Sequence, residues 1–183
     1  TGILFPTCVT PGTLCASLNA DIMIVQDLSF ELFADYFQFY VQDESVDGNL
    51  SESWSPEASD RLLAVTHGTI GVGTIRNMDV PVFIKFFSIE PELFDTSLYD
   101  QINECDIEIT SGTLVVAGCT DYFPDAARIT TEPGGYRVRI YYRGFNTLRG
   151  NDLEGDDNYE LHFWKTNQPT DIKILKQRQK ASA

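Results

Sequence analysis

Through its first 60 residues the chain has no lysine and no arginine; the first cation is Arg61, and ten carboxylates precede it. The formal charge of the whole sequence is −14. An acidic surface repels phosphate backbones, which argues against direct nucleic-acid binding by the main body. The same field draws in a basic partner and speeds its encounter, while the plainer purpose of acidity is solubility. Histidine is scarce, with only His67 and His162. The four cysteines, Cys8, Cys15, Cys105 and Cys119, form no close Cys-x-x-Cys pair, so no zinc centre is expected. No Gly-x-Ser-x-Gly elbow or phosphate-cradling glycine loop occurs. No apolar run approaches the ~18–20 residues that span a bilayer.

What is present is alternation. In Gly135–Arg143, Tyr136, Val138, Ile140 and Tyr142 alternate with Arg137, Arg139, Tyr141 and Arg143, and a period of two places the sets on opposite faces of a strand. Asn158–Lys165 repeats the pattern, with Tyr159, Leu161 and Phe163 facing away from Glu160, His162 and Trp164. Together they read as an antiparallel pair with one buried face, a partly basic outer face and an acidic connection, Asn151–Asp157. The arginine stripe suits a phosphate or an acidic partner, or else cross-strand pairing with carboxylates such as Glu160 or Glu108.

Further strands are expected at 28–33, 36–41, 69–75, 80–87, 102–110, 113–117 and 127–131, and 171–175 reads as a closing strand. Pro81 favours an edge or a strand start. Ser55-Pro56 is a helix start, a side-chain cap followed by a proline where its missing N–H costs nothing. Ala58, Leu62 and Val65 then extend a short helix over 56–64, which Gly68 ends. With 183 residues, no internal repeat and no βαβ spacing, the chain reads as all-β: a sandwich of eight or nine mostly antiparallel strands with one short helix. Residues 1–27 form an N-terminal arm, without the basic start of a signal peptide. Residues 28–175 form a single domain and 176–183 a basic tail. Cys8 with Cys15, and Cys105 with Cys119, could pair in an oxidising compartment; in a cytosolic protein all four are buried or idle thiols, which is the more common case.

An ordered set of segments resembles the competence protein ComJ family, whose known member inhibits a DNA-entry nuclease. It comprises Asp35-Tyr-Phe-Gln-Phe-Tyr-Val41, Trp54-Ser55 followed by Glu57-Ala58, Gly68-x-Ile70, Arg76-Asn77, Gly112-x-Leu114 and Pro133-x-Gly135-Tyr136. The resemblance spans residues 28 to 166. It implies a bacterial inhibitor or immunity protein, acting in the cytoplasm on a nuclease or related toxin. The arm, the acidic loop at 151–157 and the basic tail depart from the family pattern.

For chemistry the residues offer little. His67 precedes a presumed helix end, His162 lies mid-strand, and neither sits in a nucleophile–base pattern. A hydrolase built on His162 requires an aspartate and a pocket to converge on it. The Asn151–Asp157 loop has oxygen ligands for Ca2+ but lacks the full EF-hand pattern, so a solvated turn is the simpler reading and no metal or cofactor is expected. The expectation is therefore a non-enzymatic protein that meets a basic partner through Asp43, Glu44, Asp47, Asp152, Glu154, Asp156 and Asp157. A Ca2+-linked or structural binding module is the alternative.

Overall fold

Alternation builds eleven strands and one α-helix among the described residues, 22–179 of a computed structural model. In chain order these are β1 (Ile24–Phe33), β2 (Gln38–Asp43), α1 (Pro56–Asp60), β3 (Leu63–Thr66), β4 (Thr69–Gly73), β5 (Asp79–Phe87), β6 (Gln101–Ile109), β7 (Thr113–Gly118), β8 (Ala127–Thr130), β9 (Gly134–Arg143), β10 (Asn158–Lys165) and β11 (Lys173–Lys176). They form a six-stranded sheet, β1-β5-β10-β9-β6-β11, and a five-stranded sheet, β3-β4-β2-β7-β8. Only β5 with β10 is parallel. The all-β sandwich is as the alternation predicts, with more strands than the eight or nine expected. β1 begins at Ile24, inside the stretch read as an arm.

The core lies between the sheets. Val82, Ile84, Val138, Ile140, Leu161 and Phe163 of the larger sheet meet Phe39, Val41, Ile70 and Val72 of the smaller in one cluster. Phe86 stacks on Phe163 at 4.8 Å between ring centres. The expected β9–β10 pair forms in register, with Ile140 opposite Leu161 and Val138 opposite Phe163.

Two local expectations fail for identifiable reasons. The helix stops at Asp60 instead of 64: Leu62 takes a left-handed φ of 56°, and Leu63–Thr66 pair with β4 as a hairpin. Tertiary pairing overrides the helical spacing. Gly68, at φ 61°, therefore turns a hairpin, and His67 has no helix end beside it. The Ser55 cap does form, its Oγ accepting from Ala58 N at 3.2 Å. Second, Pro81 lies in an interior strand. It is tolerated because pairing with β10 begins only at Val82, so one flank is open at its level. For the described cysteines the free-thiol reading holds: Cys105 is buried in the core, whereas the Cys119 thiol meets Tyr40 and Gln38 on the outer side of the smaller sheet. Both are free thiols, and burial pushes Cys105 up to about 12. Cys8 and Cys15 lie outside the described residues.

The outer face of the larger sheet is not a basic surface. Residues 88–100 and 166–172 cover it, and the arginines fasten both segments. Glu104 accepts from Arg139 Nε at 2.6 Å and from Arg137 Nε at 3.2 Å. Arg137 also pairs with Asp106 at 3.0 Å, and Arg139 with Glu90 at 3.0 Å. The remaining guanidinium donors reach the backbone oxygens of Pro91, Thr170 and Asp171. Arg139 also lies 5.0 Å from the Trp164 ring centre. Arg137 and Arg139 thus pair with carboxylates, as one of the two sequence readings held, but the partners are Glu104, Asp106 and Glu90 instead of Glu160 or Glu108, and Arg143, the third of the stripe, is exposed at the end of β9.

Removing Glu104 strands two buried guanidinium groups. Glu104→Ala is expected to cost about 3–5 kcal/mol, read from urea unfolding. A loss below about 1 kcal/mol would mean that solvent or Asp106 replaces it.

Candidate interaction surface

Strand register sorts the loops into two ends. β2 starts where Gln38 faces Gly73 and Phe39 faces Gly118, and it finishes at Asp43. Residues 34–37, 74–78 and 119–125 therefore share one end; 44–48 and 66–68 share the other. In the larger sheet β9 and β10 meet at Arg143 and Asn158, so the long connection 144–157 hangs from one end too. Two contacts show which. The Tyr159 hydroxyl accepts from Ile75 N at 2.9 Å, and the Arg76 guanidinium grips Asp157 directly. The two acidic loops, expected to act together, lie at opposite ends of the sandwich.

Two of the seven carboxylates expected to meet a partner are internal, and this corrects the sequence reading. Asp43 is fully buried. It accepts from Thr110 N at 2.8 Å, Thr110 Oγ1 at 2.6 Å, Ser111 N at 3.1 Å and Ser45 Oγ at 2.8 Å, and from the Ser111 hydroxyl. Burial alone would raise its pKa, but these donors outweigh burial and hold it well below the usual carboxylate range. Asp43 is a staple from β2 to the β6–β7 turn. Asp157 is likewise fully buried, between Arg76 and the Tyr159 hydroxyl at 2.8 Å. Arg76 Nη1 also reaches Leu153 O at 3.3 Å, so this ion pair clamps the acidic loop from beneath.

The other five are exposed. Glu44 is engaged by Arg128 at 2.6 Å, and Asp156 lies 3.7 Å from Arg149 at the surface. Asp152, Glu154 and Asp156 project together from the clamped loop, whereas Asp47 stands at the other end. Among the described residues no three His, Cys, Asp or Glu side chains form a group that could hold a metal ion. Beside the acidic loop, an open groove of about 1060 Å³ is lined by Asp100, Arg143, Asp156, Lys176 and Arg178, so cations from the end of β9 and from β11 and the residues after it stand close to the loop, and Arg149 lies within the β9–β10 connection itself.

The clamped end also carries aromatic side chains that the sequence reading missed. Tyr36–Val41 reads as one strand, but β2 begins at Gln38. Tyr36 and Phe37 instead form a turn with φ of 54° and 59°, 71% and 52% exposed. The available signal was Ala34-Asp35, which interrupts alternation between two apolar runs.

His162 offers no active site. It is fully buried, with the ring centres of Phe87, Phe94 and Tyr141 at 4.8, 5.1 and 4.9 Å. Its Nε2 meets Glu160 at 2.8 Å, and no aspartate bonds it. Glu160 also accepts from Lys85 at 2.6 Å. Desolvation pushes Glu160 up, but His162 and Lys85 bring it from 4.5 down to about 2.

No protein-family model and no curated protein matches the sequence. Two solved structures match the fold. One is ComJ from Bacillus subtilis, described as an inhibitor of the DNA-degrading activity of NucA; it is 16% identical with a TM-score of 0.58, over 80% of this chain and all of that one. This chain has a ComJ-like fold. The other, described as crocagin biosynthetic gene J, is 18% identical with a TM-score of 0.52, over 79% of this chain and 98% of that one. At these identities the likeness establishes the architecture, which agrees with the family resemblance read from the ordered segments. Among the described residues, no helix of the ComJ-like sandwich is long and apolar enough to cross a membrane.

Asp43 and Glu160 are both held lower in the folded chain than when unfolded, so their stabilisation is complete above pH about 4.5 and is lost as pH falls. Thermal or urea unfolding is expected to show stability declining from about pH 4.5 towards 2, with Glu160→Gln flattening part of that slope. An unaltered slope would show that Glu160 titrates in the folded chain as it does in the unfolded one.

Proposed function

We propose that this protein is a non-enzymatic inhibitor that binds a DNA-degrading nuclease or a related toxin and blocks its nucleic-acid groove. The observation that carries the proposal is the trio Asp152, Glu154 and Asp156, exposed on a loop that the buried Arg76–Asp157 pair holds in place. A nuclease groove is built to receive closely spaced negative charge, and preorganised carboxylates compete for it without the entropic cost of ordering a free loop. A net charge of −14 supports the same reading through long-range attraction. The fold shared with ComJ makes a nuclease the favoured partner. Glu44 and Asp47 contribute to the overall field from the far end, and Asp43 and Asp157 contribute through the scaffold. A cytoplasmic site of action, beside the DNA that a nuclease would endanger, belongs to the same proposal.

The direct test is DNA degradation by NucA with and without the full chain at micromolar concentration. Slowing is expected; no slowing overturns the NucA-type reading. The electrostatic part is tested by the triple variant Asp152→Asn, Glu154→Gln, Asp156→Asn, which keeps Asp157 and so keeps the clamp. Its association rate is expected to fall about tenfold at low ionic strength, with a smaller change at high salt. Equal rates for variant and parent at low salt would remove the charge mechanism.

A further inference from the structure

We propose that the Tyr36–Phe37 turn is the anchor of the contact and that the sandwich end around it is the docking face for a basic protein surface. This rests on the inhibitor reading above but is specified by different observations.

The turn is over-determined. Ala34 N donates to Met78 O at 3.1 Å, Phe37 N to Ala34 O at 3.0 Å, Thr74 N to Phe37 O at 2.8 Å, and Tyr36 N to the Asp35 carboxylate at 3.0 Å. Asn77 Oδ1 also lies 3.3 Å from Phe37 N. These bonds hold two consecutive non-glycine residues in the left-handed region, where Cβ is crowded and glycine is the natural occupant. Neither ring packs in the core, since both are exposed. Strained backbone that presents exposed side chains concentrates at binding sites, and rigid aromatics are the side chains that dominate contact energy.

The surroundings fit a cationic partner. Phe33 and Tyr122 add exposed apolar surface on the same end. Asp35, Asp79, Asp121 and Asp125 belong to the same segments; within 33–37, 74–79 and 119–125 the one cation, Arg76, is buried against Asp157, and Arg128, which donates to the carbonyls of Phe123 and Pro124, is paired with Glu44. Adjacent residues of one loop join the two halves of the face, Asn77 holding the aromatic turn and Arg76 the acidic loop. A tyrosine face beside carboxylates takes guanidinium and ammonium groups through the ring as well as the charge. The segments around Asp47 at the other end, 44–48 and 66–68, contain no exposed large apolar side chain. The exposed run Ile22–Val25 at that end is continuous with residues outside the description.

The experiment uses the double variant Tyr36→Gly, Phe37→Gly, in which glycine accepts the left-handed turn and only the rings are lost. Its unfolding midpoint is expected to equal or exceed that of the parent, and its inhibition of NucA to weaken by about tenfold or more. Glu108→Gln, an exposed carboxylate at the far end, where β6 pairs with Gly135, is expected to leave inhibition within about twofold of the parent. A folded glycine variant that inhibits as well as the parent overturns the proposal. A parent chain that leaves NucA untouched removes the nuclease reading and not this one; the face is then read by titrating isotope-labelled full chain with an arginine-rich peptide. Amide shifts centred on 34–37, 74–79 and 151–156, with about tenfold weaker binding by the glycine variant, support the docking face. Shifts centred on Asp47, or affinity indifferent to the two rings, overturn it.

Discussion

A sheet covered on both faces has to neutralise whatever charge its outer face carries. Here that face holds Arg137 and Arg139, and Glu104 lies between them on the neighbouring strand. Isolated charges are intolerable at that depth, so the cluster is satisfied by further carboxylates and by the carbonyls of the two covering segments. The arginines do not project to a ligand. They pin loops to a platform, and the platform in turn fixes where the β9–β10 connection emerges.

Internal pairing also shapes what the surface presents. Among the described residues seven lysines and arginines, at 76, 85, 128, 137, 139, 149 and 165, lie in ion pairs with carboxylates. Several of these pairs are buried, so little of that positive charge remains to offset the outer field. The clamped end is correspondingly uneven: the aromatic turn adjoins the buried Arg76, while Asp156 of the acidic loop lines the groove that holds Arg143, Lys176 and Arg178. A partner arriving there meets a directional field, which favours one orientation of encounter.

The strands were legible because alternation is local. Tyr136 to Tyr142 and Tyr159 to Phe163 announce their faces in sequence, and their pairing follows. The second burial layer was not legible, since residues 88–100 and 166–172 have no periodicity and their destination depends on tertiary contacts with arginines on another element. The same blindness affected the carboxylates. Asp43 and Asp157 belong to acidic stretches that look solvated, and only distant groups, Thr110 and Ser111 in one case and Arg76 in the other, draw them inside. For Tyr36 and Phe37 the error ran the opposite way, because aromatic residues beside a strand look like core until a backbone reversal turns them outward.

The parallel pairing of β5 with β10 has a kinetic consequence. Lys85 and Glu160, which meet across it, are 75 residues apart. On a ribosome adding ~5–20 residues per second, the β5 flank waits roughly 4–15 s for its neighbour to be synthesised. Until then an apolar strand, Val80 to Phe87, offers an open hydrogen-bonding edge to any other nascent chain. The middle of the larger sheet is therefore among the last parts to close, and the β5 edge is open to mispairing throughout that interval.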